Sequence, residues 1–250
     1  AIMACTSPEG ARHALEWRLA GLTDTSLLFR AAAEIASRSK VRVGELQTSV
    51  AAGASARFDP ASDPKHLVYY LPHVTPKSEL LSDQDIEAVW GWLPERLAIL
   101  DATVIFCSRR DGCSLQTIYS RAASHWSPDA RGECIIVVRT MAGAVFGAFV
   151  TDWPRISSST LGTGESFVFT LKPNAARHVW KPGQKEVFMT CRPDGLSVGG
   201  SAIAMDRYLE KGSSFSSETF NTSGSLAEPV RGGKAPTNFD LQAIEVLKLD

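Results

Sequence analysis

The chain has 250 residues, 44% of them hydrophobic and 21% charged, and its 26 basic and 27 acidic side chains leave a formal net charge of −1. That composition suits one large globular domain, or a domain with an extension, and gives no bulk attraction to nucleic acid or anionic lipid beyond what a local basic patch supplies. No apolar run reaches the roughly 20 residues of a membrane helix, and residues 1–30 lack the basic start and apolar stretch of a secretory signal. The five cysteines, Cys5, Cys107, Cys113, Cys134 and Cys191, are odd in number, scattered and without a C-x-x-C pair. They read as thiols of a reducing, cytosolic compartment rather than a disulfide scaffold or a zinc site. The five histidines are dispersed and no H-x-x-x-H occurs, so neither a metal nor a cofactor is expected. A first residue other than Met, Ala1, suggests a piece of a longer protein.

In chain order, residues 1–80 stand apart as a helical and linker extension. Leu27, Leu28, Ala31, Ala32 and Ile35 recur at helical spacing, so one amphipathic helix is expected over 24–38. The stretch AAGASARFDPASDPKH that follows is small, polar and broken by Pro60 and Pro64, which makes it a loop or linker. A domain is expected over 81–250. Ser82 caps a short helix with Ile86, Val89, Trp90 and Leu93 on one face and Pro94 at its end. TVIFC (103–107) reads as a buried strand. Ser114 precedes a helix whose apolar face is Leu115, Ile118, Tyr119 and Ala122. CIIVVR and AVFGAFV flank the turn residues Met141, Ala142 and Gly143, a hairpin signal. ESFVFTL, EVFMTC, GLSVGG, SAIAMD and FDLQAIEVLKL add further strands. Many short strands with few intervening helices predict an α+β fold, an antiparallel β-sandwich flanked by helices, and disfavour a parallel doubly wound sheet.

LGTGESFVF (161–169) contains a G-x-G followed by an acid, which raises the question of a phosphate loop. Such a loop runs from a strand into a helix N-terminus. Here the glycines are followed by alternating, aromatic and β-branched residues, and no Lys-Ser/Thr pair appears. The stretch is a turn that launches a strand, with glycines suited to positive φ and close backbone approach. Glu165, opening an apolar strand, is expected to be pinned structurally by backbone or a basic partner, with partner contact or general-base work as its functional alternatives.

The order of the pieces then carries a resemblance. W-x-WLPERL (90–97), DGCSLQTIY (111–119), GAVFGAFVTDW (143–153), GTGESFVF (162–169), SVGG (197–200), Met205-Asp206, KGSSFSSETFN (211–221) and AIEVLKL (243–249) fall in sequence. Together they resemble the TLDc domain of oxidation-resistance proteins and of TBC–TLDc proteins, and the first two motifs resemble the TBC–TLDc branch. Departures are Leu161 where an aromatic usually precedes GTGE, a shortened glycine run at SVGG, TFNTSG in place of TFNN, and the ending EVLKLD. The resemblance implies a compact β-sandwich with helices and a regulatory, protein-binding role without established catalysis. It also implies ties to oxidative-stress resistance, to vesicle traffic and to the vacuolar proton pump as partner. For a TBC–TLDc parent it implies a Rab-directed GTPase-activating TBC domain outside this chain, and association with vesicle membranes through that parent.

Under that reading Gly162, Thr163, Gly164 and Glu165 shape a binding site, and the loops around Trp153 and Lys211–Asn221, including Ser213 and Ser214, meet the partner. The contrasting reading is a redox protein or enzyme. It would use Cys113, placed before a helix start where the dipole lowers a thiol's pKa, or a Glu165/Glu245 carboxylate pair. Cys107 and Cys134, inside strands, are expected in the core. His125 and His178 belong to no nucleophile signature and are assigned packing or surface roles. Trp90 is expected in the core, Trp92 and Trp153 half-exposed.

Overall fold

A computed structural model describes residues 72–127, 132–230 and 234–250. The helix expected over 24–38, the linker after it and Cys5 lie outside those residues. The chain divides into two compact units. Of the first, the described residues are 72, 73 and 81–101. Its helix α1, Asp83–Trp92, opens with a capping box: the Ser82 hydroxyl accepts from the Asp85 N–H at 3.3 Å while the Asp85 carboxylate accepts the Ser82 N–H at 2.9 Å. Ile86, Val89 and Trp90 are buried at the helical spacing expected of them, and the Trp90 indole donates to the Leu100 carbonyl at 2.8 Å.

The second unit, Val74–Leu80 with Ala102–Asp250, carries the sandwich. Its elements are strands β1 (Val74–Thr75) and β2 (Ala102–Cys107), helices α2 (Ser108–Asp111) and α3 (Leu115–His125), and the strands β3 (Cys134–Thr140) and β4 (Val145–Val150). After them come β5 (Phe167–Lys172), β6 (Ala176–Val179), β7 (Met189–Cys191), β8 (Gly195–Val198), β9 (Ile203–Asp206), β10 (Lys211–Ser213) and β11 (Asn238–Leu249). One sheet runs β6-β5-β4-β3-β11-β2-β1, the other β11-β10-β9-β8-β7, and among the described residues only the β1–β2 pairing is parallel.

β11 belongs to both sheets. Asn238–Asp240 pair with β10, the register shifts between Leu241 and Ala243, and the rest of the strand pairs with β3 and β2. An extra residue bends a strand and increases its twist, which suits the point where this one changes sheet. β4 is buried at every position, with β3 and β5 on its two edges, and so reads as a continuous apolar run. Ile136, Phe146 and Val168 of the first sheet meet Leu196, Val198, Ile203 and Met205 of the second in one core. Leu115, Ile118, Tyr119 and Ala122, the predicted face of α3, complete it. The fold is α+β, a mostly antiparallel sandwich with helices, as the strand pattern predicts.

Candidate functional site

The turn before β5 is built on its side chains. Leu161 and Met189 exchange both backbone hydrogen bonds, at 2.8 and 2.9 Å, which ties the segment to β7. Gly162 then sits at φ +98°, where a Cβ would come within 2.9 Å of Val150 Cγ1. Only glycine takes that backbone in that space without strain. The Ser166 N–H donates to the Thr163 carbonyl at 2.9 Å and closes the turn. The Thr163 N–H donates to the Thr151 hydroxyl at 2.8 Å, and the Thr151 N–H donates to the buried Ser166 hydroxyl at 3.3 Å. The backbone amides of Thr163 and Ser166 are therefore committed within the protein. Glu165 is exposed.

Gly164 is required for a different reason. A Cβ there would lie 2.5 Å from Cε3 of Trp180, which covers the glycine. Trp180 meets Phe188 edge-on at 6.0 Å between centroids, and Phe188 meets Phe220 at 6.3 Å. Phe220 in turn fills the space over Gly199, where a Cβ would be 2.6 Å from the ring. The Ser217 hydroxyl donates to the Gly199 carbonyl at 2.7 Å and accepts the Phe220 N–H at 3.2 Å. GTGE, SVGG and the FSSETFN loop thus meet through three aromatic rings, and edge-on and tilted ring contacts are favourable beyond their area. The indole N–H of Trp180 is buried and has no hydrogen-bond partner among the described residues.

The other predicted residues are dispersed. Trp153 is not half-exposed but 4% exposed: its ring stacks on Trp126 at 6.0 Å, and the Arg155 guanidinium, paired with Asp152, lies 4.8 Å from the ring centroid. Ser213 is half-buried in β10, and Ser214 is wholly buried, its hydroxyl donating to the Ala202 carbonyl at 2.6 Å and accepting the Leu226 N–H at 2.8 Å. The exposed side chains of that loop include Phe215, Ser216, Glu218 and Asn221, and Glu218 is paired with Lys185 at 2.7 Å.

The structure does not bring Glu165 and Glu245 together. Glu245 stands opposite Val137, Val137 opposite Gly147, and Gly147 opposite Phe169. Three strand spacings, about 14 Å, separate Glu245 from Phe169, and Glu165 lies four residues further along the chain. Glu245 is 1% exposed and accepts from the Ser78 hydroxyl at 2.5 Å and the Glu79 N–H at 2.8 Å, so its charge anchors the 74–80 segment.

Cys113 is exposed, directly before Ser114, which takes the N-cap position of α3 without a side-chain hydrogen bond. Burial raises the Cys107 thiol, pushes Cys191 up to about 12 and holds Cys134 well above its ordinary range. Those three stay protonated and make poor nucleophiles. Burial lowers His178 from its ordinary value, and His125 is exposed beside Ser124. Among the described residues no group of three or more His, Cys, Asp or Glu is placed to hold a metal, and no helix is long and apolar enough to cross a membrane.

The residues that join the motifs, Trp180, Phe188 and Phe220, carried no role in the sequence reading. Phe188 and Phe220 lie in stretches read as a strand and a loop, and the pairing of Trp180 with Gly164 is 16 residues apart with no periodic signal. A glycine without a positive φ, as at Gly164, is the available cue: something must cover it.

A sandwich whose glycine turns are fastened by aromatic rings defines a scaffold of packed motifs. The TLDc domain family matches residues 74–250, and the chain belongs to that family. Relatives include the GTPase-activating protein skywalker of Drosophila melanogaster, 30% identical over 158 residues, 55% of this chain and 26% of the relative. Nuclear receptor coactivator 7 of Mus musculus is 32% identical over 155 residues, 60% of this chain and 16% of that protein. Oxidation resistance protein 1 of Rattus norvegicus is 30% identical over 180 residues, 70% of this chain and 20% of that protein. The chain therefore spans about a quarter or less of the length of these curated relatives.

Proposed function

We propose that this TLDc chain is a regulatory, protein-binding domain without catalysis of its own, and that its partner is the vacuolar proton pump. One observation carries the reading. GTGE, SVGG and FSSETFN are held together by Trp180, Phe188 and Phe220, leaving the exposed side chains of three loops, Glu165, Phe215 and Glu218 among them, on a supported surface. Rigid elements beneath exposed loops are how recognition surfaces are commonly presented. Through such a complex the chain would act in oxidative-stress resistance and vesicle traffic, in the cytoplasm and at the periphery of vesicle membranes.

The test is a pull-down from cytosolic and membrane extracts with wild type and Glu165→Ala, folding checked by circular dichroism and proton-pump subunits read by immunoblot. Recovery by wild type and loss with the variant is the expected result. Equal recovery by both returns GTGE to a purely structural role, and no pump subunit with either removes the pump assignment.

A second reading rests on Cys113, exposed while the other described cysteines are buried. Oxidation by peroxide to a sulfenic acid, trapped by dimedone at Cys113 and abolished in Cys113→Ser, would favour a redox role; an inert thiol eliminates it. The GTPase-activating name of one relative bears on the parent protein only, since this chain covers 26% of it. A TBC domain outside the chain would carry that activity, and the chain alone is expected to leave Rab GTP hydrolysis unchanged.

A further inference from the structure

The indole N–H of Trp180 is out of balance with its surroundings. Buried tryptophans usually give that donor an acceptor, as Trp90 gives its own to the Leu100 carbonyl at 2.8 Å. Trp180 Nε1 is shut off from solvent with no acceptor among the described residues, where it is the one buried side-chain nitrogen or oxygen in that condition. Such a group gives up its hydration without recovering a hydrogen bond, and this penalises the seated position of the ring.

Leaving that position breaks no strand pairing. The last pair between β5 and β6 is Phe167 with Val179, so Trp180 lies just beyond it, and Lys181, Pro182 and Gly183 after it are exposed. The residue as a whole is half-buried and packs against the margin of the core. Beneath the ring is Gly164, where a Cβ would stand 2.5 Å from Cε3, so no side chain of that residue interlocks with the indole. Rotation about χ1 and χ2 of Trp180 is enough to carry the ring off the turn, with Phe188 still against Phe220.

We propose that Trp180 is a two-position lid on the GTGE turn. Seated, its ring covers Gly164 and makes the contact with Phe188 that fastens GTGE to SVGG and FSSETFN. Swung out, the Nε1–H regains water, Gly164 is uncovered and GTGE is released from the other two loops. The exposed side chains of the three loops therefore keep one arrangement only while the lid is seated. A partner that grips them together selects the seated state by as much as its affinity for the two states differs. That regulatory consequence rests on the protein-binding reading; the two positions of the ring do not.

The experiment is NMR of the full chain labelled with nitrogen-15 at its indole nitrogens, the Trp180 resonance being assigned by its loss in Trp180→Phe. In wild type the expected result is relaxation dispersion at Trp180, on the microsecond-to-millisecond scale, from an outward state populated at about 1–10%. Gly164→Ala denies the ring its seat. Its Trp180 resonance is expected to move to the shift of that minor state, and its indole proton to exchange with water at least about tenfold faster, the inverse of the wild-type population. Unmoved Trp90, Trp126 and Trp153 resonances show that the variant is folded. A wild-type Trp180 resonance without dispersion overturns the lid, whether a held water at Nε1 keeps the ring shut or the ring is always out, and this result needs no variant. An unchanged exchange rate in folded Gly164→Ala overturns it too, because the ring has then only shifted within its site. Dispersion without pump recovery in the pull-down leaves the lid and removes the pump; pump recovery with a rigid ring does the reverse.

Discussion

Replacing Gly164 by alanine tests whether the aromatic contacts fasten the turn. The new methyl carbon would stand 2.5 Å from Cε3 and 2.7 Å from Cζ3 of Trp180. Ordinary carbon contact begins near 3.5 Å, so the ring must retreat by about 1 Å. Phe188, edge-on at 6.0 Å, stands beside it. Overpacking of this kind costs about 1–3 kcal/mol. Gly164 is not at positive φ, so alanine also stiffens the unfolded chain and returns about 0.4–1 kcal/mol. The midpoints of the two ranges, about 2 and about 0.7 kcal/mol, leave the clash ahead in the wild-type background by roughly 1.3 kcal/mol. With Trp180→Ala the clash is gone and only the entropic gain remains, so Gly164→Ala becomes neutral or stabilising. Urea unfolding followed by circular dichroism, across the four proteins of the double-mutant cycle, reads both numbers. A neutral Gly164→Ala, or the same cost with and without the Trp180 ring, would refute the reasoning.

Glu245→Ala leaves the Ser78 hydroxyl and the Glu79 N–H without their acceptor and is expected to cost about 2–4 kcal/mol by urea unfolding, with Glu245→Gln milder because it keeps an oxygen. The Asp111 carboxylate loses solvation on burial, but hydrogen bonds from Arg110 and the Cys107 N–H, with the charge of Arg121, outweigh this and hold it below the ordinary carboxylate value. A depressed carboxylate stabilises the fold above its unfolded pKa near 4, and that stability is lost as pH falls through the lower folded value. Thermal unfolding between about pH 6 and pH 2 should therefore show an acid loss that is smaller in Asp111→Asn. Maleimide is expected to label Cys113 in the folded protein, while Cys107, Cys134 and Cys191 react only after denaturant is added; mass spectrometry of the digested adducts checks this.

Patterns of two and of 3.6 were legible wherever one element buries one face. The face of α3 and the cap at Ser82 were readable because each is set by neighbours within a turn of helix. The β3–β4 hairpin was readable because its turn is local. The strand–turn character of GTGESFVF was likewise visible in its alternation. What sequence pattern did not carry was pairing at long range. That Trp180 covers Gly164, that Phe220 covers Gly199 and that Glu245 holds Ser78 are contacts between residues with no shared periodicity. Trp153 illustrates the same gap, since a tryptophan before a proline at a strand end looks suited to solvent until Trp126 is found stacked on it. Ser214 does too: a serine in a polar loop is indistinguishable by type from one whose hydroxyl ties Ala202 to Leu226.

The shared strand β11 sets the order in which this chain is able to fold during synthesis. β10, β3 and β2 all pair with residues 238–249, so neither sheet is whole until that segment has left the ribosome. The Ser78–Glu245 contact spans 167 residues, and pairings that distant fold slowly because a long loop must close before they are rewarded. Until then the apolar strands of a nascent chain wait with unpaired edges, the condition under which chains engage chaperones. Loss of residues 238–249 therefore removes far more than one strand: it withdraws the partner of three others at once.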